Sequence, residues 1–405
     1  MKQYDLGGCF GIERETLRVD SAGRLAQTPH PFAYDPHITR DFCENQIELV
    51  TPVADSIDGA LQHLADLDRQ VRDVLSQNGE TLWLYSNPPH FDSEDEIPIA
   101  DFTGDHSSKR SYREILKQKY GKKLMLFSGI HFNFSFSEDY LHKLNTKSED
   151  FRSFRDALYL RLYKQLMRHS FLLVLLTAAS NVYDLSLDCG QCPPPFQLPG
   201  GETDTFFYMH PLKEQHNYGI IRSKYSSMRN SERGYWNRFL PVLDHSSLSA
   251  FTDSIRQYVD SGALYSASEL YLPVRLKPQG VNSLESLAEN GVDHIELRMF
   301  DLNPEAPLGI DGRDLNFAHL LMLYLLSLPD FDFTPDLQAQ AVLNHQNAAL
   351  LEPDAELLAR AEHVLTEMEQ NFSGDEASLA VIGFEHDKLN SRKAGKTITD
   401  NYFNR

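Results

Sequence analysis

Charged residues, most of them acidic, recur at every second position in several short stretches of the chain. Glu13 and Glu15 are two positions apart, and Glu296 and Arg298 repeat this spacing near residue 300. Strand residues rise about 3.3 Å each and alternate between faces, so Glu13 and Glu15 would point the same way about 6.7 Å apart. Carboxylates gathered on one face hold a cation or become protonated, because like charges raise each other's pKa. The spacing therefore indicates metal chemistry if these strands lie side by side.

Five stretches show this period-two alternation, which is typical of strands with one face in a core. They cover residues 11–19, 45–51, 128–136, 267–277 and 294–300. Their polar faces carry Glu13, Glu15, Gln46, Glu48, His131, Asn133, Ser135, Glu269, Tyr271, Arg275, Lys277, His294, Glu296 and Arg298.

Two interpretations of these polar faces remain open from the pattern alone. Many carboxylates with one imidazole, His131, suit the hard ions Mg²⁺ or Mn²⁺ better than zinc or copper. Arg275 and Arg298 beside them would then bind an anion, most often a phosphate. The alternative is an ordinary sheet face exposed to water, because strand pairing is not visible in a sequence.

Helical patterns separate the predicted strands. One begins after a Ser56 cap, and the set comprises residues 57–77, 151–181, 247–260, 315–328 and, in pieces, 336–372. The candidate site strands run from residue 11 to residue 300, so a cut into sequential domains would divide the site. We therefore expect one α+β domain.

The composition argues against several classes of partner. Lys and Arg number 38 against 58 Asp and Glu, and a net charge of -20 repels nucleic acid and anionic lipid. The longest apolar run, residues 170–179, is about half the length of a bilayer span and predicts a buried helix. The first residues lack a secretory pattern, so we expect a cytoplasmic protein without nucleic-acid or membrane partners.

Few other motifs in the chain indicate chemistry. Cys189 and Cys192 form a lone CxxC that is open to a redox or zinc role or to a reduced loop, within a predicted long loop over residues 189–214. The sequence contains no Walker A motif and no GxGxxG, and no Ser or Cys lies in a nucleophile-elbow context.

From about Phe10 to Leu328 the chain resembles the bacterial glutamate–cysteine ligases (γ-glutamylcysteine synthetases), which are relatives of glutamine synthetase. The segments that carry the resemblance occur in the family's order and approximate spacing. They are GIERETLRV, DFCENQIELVTP, LWLYSNPP, SYREILKQKYG, SGIHFNF, SSMRNSERGY, LYLPVRLKP and HIELRMFDLNPEAPLGI.

The resemblance implies both a fold and a reaction. The fold would be α+β, an antiparallel sheet curled into a funnel with a charged concave face and helices packed outside. Residues 1–330 would form the catalytic domain, and residues 331–405 a helical C-terminal segment of the same domain. The reaction would be ATP-dependent ligation of the γ-carboxylate of L-glutamate to the amine of L-cysteine through γ-glutamyl phosphate. Its cofactors would be ATP and Mg²⁺, or Mn²⁺ in its place.

The same resemblance implies roles for individual residues. The implied metal ligands are Glu13, Glu15, Asp41, Glu48, His131 and Glu296. The implied catalytic pair is Glu296 and Arg298, and the implied ATP contacts are Arg275, Lys277 and Arg298. Glutamate recognition is implied for Arg113 and Arg229, and the acceptor pocket for Phe42, Tyr112, Leu116, Met125 and Tyr235.

The chain departs from the family pattern on the acceptor side. Met125 replaces a glutamine, Phe132 replaces a tyrosine, and residues 234–243 are less polar than in the family. Two alternatives therefore stand beside a cysteine ligase. One is a γ-glutamyl ligase for another amine, and the other is a non-catalytic protein that binds glutamate or nucleotide as a regulator.

Overall fold

A computed structural model describes the chain at residues 7–102, 107–146, 150–187, 209–211 and 220–400. Cys189 and Cys192 lie outside these residues, as does most of the predicted loop 189–214. Within that predicted loop, Met209–Pro211 forms a short strand.

Two antiparallel sheets are present in the described part of the chain. The larger has the strand order β2-β3-β1-β5-β10-β9, with β4 also paired to β1, and the smaller has the order β6-β8-β7. The larger sheet is open, since β2 and β9 end it on opposite sides. The strands are β1 (Gly8–Val19), β2 (Ile38–Arg40), β3 (Gln46–Val50), β4 (Thr81–Trp83), β5 (Gly129–Phe136), β6 (Val182–Asp184), β7 (Met209–Pro211), β8 (Ile220–Arg222), β9 (Val274–Lys277) and β10 (His294–Asp301).

Helices cover the apolar face of the larger sheet, so the predicted α+β class is confirmed. Helices α1 and α4 contact its strands, and the His319 ring of α7 packs against Phe10 of β1 and Phe134 of β5. Apolar side chains that alternate along the strands, such as Phe132 and Leu297, are buried with these helices in one core. The helices are α1 (Ile57–Gln77), α2 (Ser107–Tyr120), α3 (Glu138–Leu144), α4 (Phe151–Thr177), α5 (Leu248–Asp260), α6 (Leu284–Asn290), α7 (Gly312–Ser327), α8 (Pro335–Ala348), α9 (Ala355–Asn371) and α10 (Glu376–Lys393).

Helix α4 crosses the core and contains most of the apolar run at residues 170–179. It ends at Thr177, four residues before the predicted end. The chain turns there because the Asp301 carboxylate accepts hydrogen bonds from Ala179 N (3.0 Å) and Ser180 Oγ (2.7 Å). None of the described helices is long and apolar enough to cross a membrane.

The prediction of a strand over residues 267–277 is wrong in its first half. Pairing begins at Val274, directly after Pro273, which has no N–H to donate to a sheet. Glu269 lies in a 3₁₀ turn and is fully buried, where its carboxylate accepts hydrogen bonds from the Tyr120 hydroxyl (2.6 Å), Tyr265 N (2.6 Å) and the Lys119 ammonium. A buried carboxylate needs such partners, so Glu269 anchors α2 rather than facing the site.

Candidate active site

The strand register brings the predicted acidic and basic residues onto one face of the sheet. Glu13 of β1 lies opposite His131 of β5, and Glu296 of β10 lies opposite both Asn133 of β5 and Arg275 of β9. The alternating pattern could not show whether the charged residues lie together, and the pairing of β1, β5, β10 and β9 places them side by side.

Glu13, His131 and Glu296 form a compact cluster, with one ligand atom of each within 4.8 Å of the others. His131 Nδ1 is 3.0 Å from Glu13 Oε2 and 3.4 Å from Glu296 Oε1, and Asn133 donates to Glu13 Oε1 at 3.0 Å. Among the described residues, His131 Nε2 and Glu296 Oε2 are buried without a hydrogen-bond partner. Two buried ligand atoms without a hydrogen bond, in a carboxylate–imidazole set, fit a divalent cation.

A second acidic group adjoins this cluster. Glu15 of β1 lies opposite Glu48 of β3, and Glu15 Oε1 is 3.6 Å from His131 Nε2. Burial and the nearby Asp41 raise the pKa of Glu15 well above its ordinary value. Burial, Asp41 and Glu13 raise the pKa of Glu48 to about 8. So much buried negative charge needs either protons or a cation.

Cationic side chains border the cluster on its β9–β10 side. Arg298 donates to Glu296 Oε1 at 2.8 Å, and Lys277 Nζ is 3.4 Å from Glu296 Oε2. Burial raises the pKa of Glu296, but Arg298, Lys277 and His131 outweigh burial and hold it well below the ordinary value. Burial and Arg298 together lower the pKa of His131 to about 4, which leaves the ring neutral and able to bind a metal.

Backbone carbonyls hold the two arginines predicted to recognise glutamate. Arg113 of α2 donates to the carbonyl of Asp41 and, at 2.9 Å, to that of Lys109. Arg229 donates to the carbonyls of Arg298 (2.6 Å) and Phe300 (3.2 Å). Both guanidinium groups are thus fixed in direction beside the acidic cluster.

Apolar and aromatic side chains form one wall of the site. Met125 is 2% exposed and packs with Phe42 and Leu116, and Tyr112 and Tyr235 lie against the same group. A thioether is only a weak hydrogen-bond acceptor, so this wall offers little polar recognition at Met125.

One cavity of about 440 Å³ unites the cluster, the cations and the apolar wall. Every residue to which the family resemblance gives a role lines it, including Asp41, Arg275 and Lys277. It is also lined by residues for which no role was predicted, among them Asn230, Trp236, Tyr271, Asn282 and His345. Asn230 and Tyr271 fall within or beside quoted motifs, but nothing in the sequence marks His345, which lies on α8.

The sequence profile of the glutamate-cysteine ligase family matches residues 2–348. The chain belongs to the glutamate–cysteine ligase family. Among relatives, it is 39% identical over 360 residues to the glutathione biosynthesis bifunctional protein GshAB of Listeria monocytogenes, covering 86% of this chain and 44% of that protein. It is 31% identical over 385 residues to the glutamate–cysteine ligase of Clostridium acetobutylicum, covering 87% of this chain and 78% of that protein.

A solved structure has the same fold as the present chain. The crystal structure of the Francisella tularensis glutamate–cysteine ligase in complex with AMP superposes with a TM-score of 0.83, at 23% identity, covering 96% of this chain and 84% of that one. The chain spans about half the length of the first curated relatives that it matches.

Proposed function

We propose that the protein is an ATP-dependent carboxylate–amine ligase that joins the γ-carboxylate of L-glutamate to the amine of L-cysteine. The observation that carries this proposal is the single cavity in which the Glu13–His131–Glu296 cluster lies beside Arg298 and Lys277. Carboxylates that hold a cation and arginines that neutralise phosphate are the parts that phosphoryl transfer needs.

Magnesium is the cation that these residues suit best, with Mn²⁺ as the substitute. Glu13, His131 and Glu296 would hold one ion, and the raised pKa values of Glu15 and Glu48 favour a further ion beside Asp41. The bound ion would supply charge neutralisation for the phosphate oxygens.

In the proposed reaction, a γ-carboxylate oxygen of glutamate attacks the γ-phosphorus of ATP and the bond to ADP breaks. The cysteine amine then attacks the acyl carbon, phosphate leaves, and the nitrogen loses a proton. Arg298 would stabilise the charge on the transferring phosphoryl group, since its guanidinium projects beside Glu296. Arg113 and Arg229 would bind the α-carboxylate of glutamate.

A second cavity of about 390 Å³ adjoins the first and shares Ser268, Arg275, Lys277 and Asn282 with it. Its lining is more apolar, with Leu276 and Val274 among its residues. We infer that the nucleotide base enters this second cavity and that Arg275 and Lys277 at the junction contact the phosphates. The AMP bound to the Francisella tularensis relative supports a nucleotide site in this fold.

The acceptor has a rival assignment that rests on Met125. Met125 is buried in the apolar wall, where an amide would offer both a donor and an acceptor to an incoming amino acid. A γ-glutamyl ligase that uses a different amine is therefore the second candidate function.

The deciding experiment incubates the purified chain with ATP, Mg²⁺, glutamate and a panel of amines. We expect ADP release that requires both glutamate and an amine, and a product whose mass is the sum of the two less one water. An amine other than cysteine with the highest kcat/KM would establish the rival. Absence of amine-dependent ADP release with every amine would contradict a ligase and favour a non-catalytic regulator.

A further inference from the structure

Strand β10 carries an irregularity at Arg298, beside the acidic cluster. Its register against β5 shifts after Leu297, so Arg298 and Met299 together face the single residue His131. We call Arg298 and Met299 the β10 bulge. A bulge of this kind redirects a side chain and is common beside active sites. The direction of the Arg298 guanidinium therefore depends on the conformation of the bulge.

Two adjacent residues hold the carbonyl groups of this bulge. Arg229 donates to the carbonyl of Arg298 at 2.6 Å and to that of Phe300 at 3.2 Å. Asn230 Nδ2 donates to the carbonyl of Met299 between them at 2.9 Å. Three consecutive carbonyls of β10 thus accept hydrogen bonds from neighbouring side chains of one turn.

The Asn230 amide is itself held in one orientation. Its Oδ1 lies 3.2 Å from His345 Nε2, and its Nδ2 donates to Ser227 Oγ at 2.8 Å. Burial, with Arg229 nearby, lowers the pKa of His345 to about 3, so the ring is neutral. An amide oxygen can only accept, so His345 Nε2 carries the proton, and Nδ1 lies 2.9 Å from Ser170 Oγ.

We propose that Asn230, oriented by His345, is a positioning residue that fixes the β10 bulge and thereby aims Arg298 at the transferring phosphoryl group. This role rests on the proposed ligase function. Misplacement of a transition-state group by about 1 Å can cost about 10²-fold in rate. Loss of the Asn230 amide should therefore act on kcat rather than on ground-state binding.

The first test is the Asn230→Ala variant, assayed for ADP release with glutamate and the best amine. We expect kcat to fall about 10-fold or more, while KM for ATP and for glutamate changes less than about threefold. The matched control is Asn87→Ala, since Asn87 is also buried and donates to two backbone carbonyls, those of Ser180 and Val182. Loss of the same kind of amide there should lower stability without a comparable loss of kcat.

Two results would overturn the role. Asn230→Ala with kcat within twofold of the wild type would show that the bulge does not need the amide. A large rise in KM with kcat unchanged would instead assign Asn230, which lines the cavity, to substrate binding.

His345 provides a second route if Asn230→Ala fails to fold. His345→Leu removes the donor to Asn230 Oδ1, whereas His345→Gln supplies an amide N–H near the position of Nε2. We expect the leucine variant to lose about 5-fold or more in kcat and the glutamine variant to recover most of it. Equal kcat values in the two variants would contradict orientation of Asn230 by His345.

Crystal structures of the wild type and of the Asn230 and His345 variants separate this proposal from the ligase proposal. In Asn230→Ala or His345→Leu we expect a changed bulge and a lost contact between Arg298 and Glu296. An unmoved Arg298 in the variants would overturn the positioning role whatever the activity. A wild type without glutamate-dependent ADP release would overturn the ligase function, and with it the phosphoryl target of Arg298, while the crystal structures would still test whether Asn230 fixes the bulge.

Discussion

Glu296 and Arg298 belong to the same strand, and the Arg298 guanidinium donates to Glu296 Oε1 across 2.8 Å. One carboxylate is thus shared between a candidate metal cluster and a candidate phosphate-binding cation. In the proposed reaction, Glu296 would hold the cation and Arg298 would neutralise phosphate charge, so both roles depend on the geometry of this pair.

Arg298→Lys keeps the positive charge but loses the planar fork of the guanidinium. We expect kcat to fall by about 10²-fold with a much smaller rise in KM for glutamate, because the contact acts mainly in the transition state. Steady-state kinetics with ATP and glutamate varied in turn will measure both values. An effect on KM alone would assign Arg298 to ground-state binding.

Glu13→Gln, Glu15→Gln and Glu296→Gln each keep the shape of a proposed metal ligand and remove its charge. We expect each to lower turnover at saturating Mg²⁺ by at least about 10²-fold. Mg²⁺ should also raise the thermal midpoint of the wild type, because a ligand that binds only the folded state stabilises it. Calorimetry should show this rise in the exposed control Glu356→Gln and a diminished rise in the three variants. Near-normal turnover in all three would refute the assignment.

Met125→Gln restores an amide to the acceptor wall, and Met125→Leu is its matched apolar control. If cysteine is the acceptor, we expect the wild type to separate it from 2-aminobutyrate by no more than about 200-fold in kcat/KM, since an apolar pocket discriminates weakly. The glutamine variant should shift preference towards cysteine, and the leucine variant should not. An unchanged amine profile in Met125→Gln would mean that Met125 does not contact the acceptor.

His245 predicts an acid-dependent loss of stability that is separate from the active site. Burial and Lys164 lower its pKa to about 4, below the ordinary value near 6.5, so the unfolded chain binds the proton more tightly. Stability should therefore be lost as pH falls from about 6.5 to 4, by an amount on the order of 2 kcal/mol from this residue. Urea unfolding of the wild type and His245→Gln across this range measures the difference. Parallel stability profiles for the two proteins would disprove the contribution.

The alternation of polar and apolar residues predicted much of the sheet because one face packs on helices and the other lines a cavity. Helix α1 was predicted at its observed bounds, since the Ser56 side chain caps it. Helix α2 was not predicted, and α10 was covered only by the general expectation of a helical segment over residues 331–405. Helix α2 is mostly polar, and α10 buries Glu385 and Arg392 beside its apolar residues, so neither shows a clean apolar stripe.

The strand pattern alone could not predict which residues lie together in the site. It placed Glu13 and Glu296 on polar faces, but their proximity depends on β5 pairing between β1 and β10. Arg113 and Arg229 come from segments without strand periodicity, and only the family resemblance indicated them. The role of each residue stays a prediction until the variants are measured. The boundary at residue 330 between the catalytic domain and its C-terminal segment also stays a prediction.

Gly129 lies at the start of β5, against the Arg229 guanidinium, and a Cβ added there would be 2.4 Å from Arg229 Cζ. Glycine is favoured at this position by the nearby Arg229 side chain. The backbone of Gly129 does not itself require glycine, because its φ is not positive. A side chain at residue 129 would have to displace the Arg229 guanidinium. Shortening residue 229 would make room for a side chain at residue 129. With Arg229 in place, alanine at residue 129 would push its guanidinium away from the carbonyl of Arg298 and so disturb the β10 bulge.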